Sequence, residues 1–240
     1  MSLQIFKVFK YALLYKACCN LSNKFRVTKH NQLIITIMEK KLFNLSLILA
    51  PLFYTLSGFF WLANGRYNVT GGTLIIVGSV FWIVVFNGLF DVLKVKTPVY
   101  STIGRFLAIY GCACGGVAFG LQDAFADIFG ISHKTMLDGL GSHAIFANLV
   151  FWIGGPLFPI SVFVLGIVLV RTKAITLWAG VLFSLGGILF PVSRILRIET
   201  IAHIVDMLML IPMVYITFCG VSNSNKRKPN YDQANSGISK

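Results

Sequence analysis

Acids are scarce in this chain of 240 residues, with 8 Asp and Glu against 21 Lys and Arg and a formal net charge of +13. Charge of either sign makes up only 12% of the residues, whereas 56% are hydrophobic and the mean hydropathy is +0.78. So few polar groups exclude a single water-soluble domain, because that much apolar surface cannot be buried inside one core; lipid must solvate a large share of it. Soluble-enzyme signatures are missing too: the chain has no P-loop, no GxSxG, no GxGxxG after a strand and no HExxH. The five cysteines, Cys18, Cys19, Cys112, Cys114 and Cys219, show no metal-ligand or redox spacing. Three of them lie in apolar runs, where a thiol behaves as a small hydrophobe. The basic excess has no aromatic-basic module around it, so nucleic acid is not an expected partner.

Six apolar stretches are present, at 42–63, 73–89, 106–129, 144–170, 174–193 and 200–220. A spanning helix needs about 20 residues at about 1.5 Å each. The expected fold is therefore all-α, a polytopic membrane protein built as a bundle of six transmembrane helices over 38–221. Residues 1–37 form a basic extension with six Lys and Arg and no acid, and Lys7, Lys10 and Lys16 interrupt its apolar runs before they reach spanning length. Met38, followed by Glu39, Lys40, Lys41 and a clean span, offers an alternative start of translation. Residues 222–240 read as a disordered polar tail.

Within the spans, Gly111 and Gly115 have the small-xxx-small spacing that lets helix backbones approach. Gly154, Gly155, Pro156 and Pro159 predict a kink or break in the fourth span. Residues 130–141 read as a polar loop. Asn68 opens a sequon too close to the bilayer for glycosylation, and Asp91 is expected to pair with the interface cations around it.

Cation counts orient the bundle. One side collects Lys40, Lys41, Lys94, Lys96, Arg105, Arg171, Lys173, Lys226, Arg227 and Lys228; the other has only Arg66, Lys134, Arg194 and Arg197. The positive-inside rule then puts both termini in the cytoplasm, and the plasma (inner) membrane is the expected location in a prokaryote. Asp123, Asp127, Asp138, Glu199 and Asp206 fall on or near the opposite, outer side.

The cluster expected there comprises Asp123, Asp127, His143, Arg194, Arg197, Glu199, His203 and Asp206. A carboxylate inside a span must find a partner, and Arg194 and Arg197 can each offer a bidentate fork. Two readings follow: an outer-face pocket for binding, transporting or sensing a small ligand, or a salt-bridge clasp that holds the bundle together. The alternative is a metal-dependent membrane hydrolase acting on a lipid or peptide bond, with His143, His203 and Asp206 as weak candidate ligands; bis-His haem ligation by His143 and His203 is a related option. No cofactor is expected. The partners are the bilayer and a small molecule, with oligomerisation open.

Overall fold

The computed structural model describes residues 36–62, 65–196 and 198–221, His133 by its backbone only. The expectations for 1–35, Arg197 and the tail 222–240 lie outside the described residues. The chain divides into two compact units, Met1–Phe43 and Asn44–Lys240. In the first, residues 36–43 are helical and mostly exposed. The second holds the site and is described from here on.

The spanning helices are α1 (Thr36–Phe60, of which 44–60 belong to this unit), α2 (Val69–Leu93), α3 (Pro98–Ile128), α5 (Ala144–Arg171), α6 (Leu177–Leu196) and α7 (Glu199–Cys219). A short helix, α4 (His133–Ser142), lies between α3 and α5. All six long helices are apolar enough to cross a bilayer, so the chain is an all-α, multi-pass integral membrane protein. Most of them extend past the apolar runs at one end or both. Asn68 accepts from the Gly71 N–H at 2.9 Å and starts α2. Pro98 stands at the first turn of α3, where its missing N–H costs nothing. Its side chain thus gives Asn68 a structural role as the cap of α2.

Each long helix packs on its successor in the chain, and α7 closes the ring against the last turn of α1. Aromatic residues fill the centre. Trp82, Phe86 and Phe158 are fully buried and meet edge to face or tilted, with ring centroids 5.6–6.0 Å apart. Glycines bring neighbouring helices into backbone contact. A Cβ on Gly72 would lie 2.5 Å from the Gly120 carbonyl oxygen, and one on Gly120 would lie 2.7 Å from that of Gly72. The Gly111 and Gly115 pair does the same between α3 and α5, where added Cβ atoms would fall 2.3 Å from Phe158 N and 2.5 Å from Gly155 O.

Two expectations are corrected. Residues 130–141 are largely helical, because Ser132 caps α4 by accepting from the Thr135 N–H at 3.1 Å. Of the kink or break expected in the fourth span, the break is absent: residues Asn148–Ile153 widen into a π-helical segment and the α-helix resumes at Gly154. Pro156 and Pro159 lack the N–H that an α-helical turn requires, and the π segment lies just before them. A matching π segment, Ala113–Ala118, occupies the facing part of α3. At the end of the bundle that carries the excess cations, Asp91 pairs with Arg105 at 2.5 Å and the Lys96 ammonium donates to the Thr172 carbonyl.

Candidate functional site

The opposite end of the bundle has the buried charges. Asp206 sits on α7 seven residues past Glu199, about 10 Å along the helix, and its side chain has no solvent exposure. Arg194, near the end of α6, meets it: Nη2 donates to both carboxylate oxygens, at 3.0 and 3.2 Å. This is one nitrogen shared between two oxygens, in place of the expected parallel fork. It leaves Nη1 to donate to Ser193 Oγ at 3.2 Å, while that hydroxyl donates to the Phe190 carbonyl at 2.7 Å. The guanidinium also lies against aromatic faces, 4.5 Å from the Phe190 centroid, 5.7 Å from Trp61 and 5.9 Å from Tyr67.

Trp61 and Tyr67 belong to the turn between α1 and α2. It folds as a small hairpin: the two residues form an antiparallel bridge, Leu62 N–H donates to the Arg66 carbonyl at 2.7 Å, and Asn68 N–H donates to Phe60 at 3.0 Å. Gly65, with φ +74°, supplies the left-handed position that the reversal needs. Acids of α3 hold this hairpin. Asp123 accepts from the Tyr67 N–H at 3.0 Å, Asp127 from the Val69 N–H at 2.9 Å, and Arg66 donates to the Ile131 carbonyl at 2.8 Å. Asp123 and Asp127 therefore do share a face, and in these contacts that face serves the backbone amides of Tyr67 in the hairpin and of Val69 at the start of α2.

His203 stands one turn before Asp206. Its ring lies 4.5 Å from that of Phe59, and its Nε2 is 3.6 Å from Glu199 Oε1, longer than a hydrogen bond. It packs so closely on α1 that a Cβ on Gly58 would be 2.8 Å from His203 Cε1. His143 does not join this group in any described contact. Its side chain is exposed at the junction of α4 and α5, where its carbonyl accepts from the Ala147 N–H at 3.0 Å. Among the described residues no three His, Cys, Asp or Glu side chains gather as a metal would need, so the set His143, His203 and Asp206 is not assembled.

The polar atoms buried at this end without a hydrogen-bond partner among the described residues include Trp61 Nε1, Tyr67 Oη, Gln122 Oε1 and His203 Nδ1. Tyr67 Oη feels Trp61 and Ser57 nearby, but neither lies in hydrogen-bonding geometry. Burial raises the Tyr67 hydroxyl above its ordinary pKa, with Arg194 acting in the opposite direction, so the group stays protonated at neutral pH. Deeper in the ring, Tyr54 Oη bonds Ser79 Oγ at 2.8 Å. Beyond it α2 offers only Trp82, Val85, Phe86, Leu89, Phe90 and Leu93 to the interior, so the polar zone ends partway down.

The sequence showed Arg194 and Asp206 because charge inside an apolar run stands out, but the aromatic residues around them went unnoticed. Trp61 and Tyr67 are ordinary residues for a membrane interface. Their position in a short turn facing the same side as Arg194 was the available signal. No protein-family model, curated protein or solved structure matches the chain.

Proposed function

We propose that this chain binds a small polar ligand at one end of its bundle, beneath the 61–67 hairpin and beside the Arg194–Asp206 pair. The observation that carries this reading is the coincidence of a buried ion pair with buried polar atoms that find no partner in the described residues. An unmet buried donor costs about 1–3 kcal/mol, and a protein tolerates several in one place most readily where a ligand will meet them. The cation count assigns this end to the outer face. Binding or sensing suits the described conformation better than conduction, since beyond Tyr54 and Ser79 the buried side chains of α2 are all apolar.

The clasp reading also has an observation in its favour: Arg194 occupies both oxygens of Asp206, so the pair closes on itself. Native mass spectrometry of the full chain, released from its own membranes in mild detergent, separates the two. A binding protein carries a small adduct that is lost in Tyr67→Phe; a pure clasp gives a bare mass in both.

A further inference from the structure

We infer that the group received at this site is an oxyanion, a phosphate or a carboxylate, held by Trp61 Nε1, Tyr67 Oη and the guanidinium of Arg194. The inference rests on the binding reading above and follows from two unmet buried donors beside the guanidinium. Asp206 has both oxygens engaged by Arg194 Nη2. Ser193 Oγ receives Nη1 and gives its own proton to Phe190 O, while Ser57 Oγ gives its proton to Tyr54 O at 2.6 Å. Beside the guanidinium stand two groups that can donate and that meet no partner among the described residues. The indole N–H of Trp61 can only donate, and the Tyr67 hydroxyl is held protonated. Both are buried, and neither reaches an acceptor among the described residues.

A group bringing two or more acceptor oxygens satisfies both donors at once. Negative charge is favoured because Arg194 lies within 5.7 and 5.9 Å of the two rings, and charge-assisted hydrogen bonds are about twice as strong as neutral ones. A ligand cation would meet that guanidinium, which already covers the aromatic faces a cation would use. His203 Nδ1 takes no part, since it faces Gly58 at the contact that leaves no room for a Cβ. A phosphate at this depth can come from a lipid headgroup or from solution, and a carboxylate from either as well.

The test is a melting-temperature titration of the full chain in dodecyl maltoside, a detergent without oxyanions. The probes are inorganic phosphate, acetate, dihexanoyl phosphatidic acid and, as a neutral acceptor, cyclohexanone. The expected result is a rise of about 5–10 °C at a hundredfold excess over Kd with at least one oxyanion, lost in Trp61→Phe and in Tyr67→Phe. A response to phosphate or acetate points to a soluble ligand; a response confined to phosphatidic acid points to a headgroup. Either supports the inference. A response to cyclohexanone alone overturns it and leaves the binding reading standing. No response to any probe, or a rise equally large in both variants, overturns it too. Should one variant fail to give a monodisperse protein, the other decides.

Discussion

Breaking the Arg194–Asp206 pair from either side should cost different amounts, and the difference follows from the burial of the two partners. Losing one member of a buried pair typically costs about 3–5 kcal/mol, because the other charge is left without compensation. The Asp206 side chain has no exposure, and Arg194 retains 18%. Arg194→Met therefore strands a carboxylate with no access to water and should reach the top of that range. Asp206→Leu leaves a guanidinium that still reaches solvent and still lies 4.5 Å over Phe190, which places it near the bottom. At about 2–4 °C per kcal/mol for a chain of this size, the drops become roughly 10–20 °C and roughly 6–12 °C. The double variant Arg194→Met/Asp206→Leu removes both charges and should return close to the wild-type melting temperature or exceed it. Thermal unfolding in detergent, followed by the loss of monodisperse protein on size exclusion, reads all three. Two small, equal drops that add in the double variant would refute the geometry, since they would mean that the charges are hydrated and uncoupled.

Two further predictions concern the frame around the site. Gly72→Ala forces a Cβ toward the Gly120 carbonyl, 2.5 Å away, and should destabilise the bundle by about 1–3 kcal/mol, measured by the same thermal assay. If the cation count orients the chain correctly, a cysteine at exposed Ser142 will react with a membrane-impermeant maleimide on intact cells, and one at Lys173 will react only after lysis.

Much of the fold was legible because lipid imposes a simple rule: apolar runs of spanning length, with charge in the gaps, become helices. The boundaries were less so. Caps such as Asn68 and Ser132 extend or create helices through polar residues, which is why α4 read as a loop. In the fourth span, glycine and proline signalled irregular backbone correctly, but the irregularity took the form of a π segment within a continuous helix. At the site, Arg194 and Asp206 could be paired by elimination, since each needed an opposite charge near hydrocarbon. His143 could not be placed, because nothing local says whether a histidine at a helix entrance faces the bundle. Asp123 and Asp127 could be put on one face, but not against the backbone amides of Tyr67 and Val69, which lie 56 and 58 residues away in sequence. Trp61 and Tyr67 depend on that same long-range contact.

The most direct measurement is the melting temperature of Tyr67→Phe in ligand-free detergent beside wild type. If the polar end of the bundle is kept for a ligand, the hydroxyl is an unmet buried donor, and removing it should leave stability unchanged or raise it by as much as about 1–3 kcal/mol. If the end is only a clasp, the hydroxyl already has a partner within the protein. Stability would then fall by about 0.5–1.5 kcal/mol, the net value of a typical hydrogen bond, and that result would contradict the account.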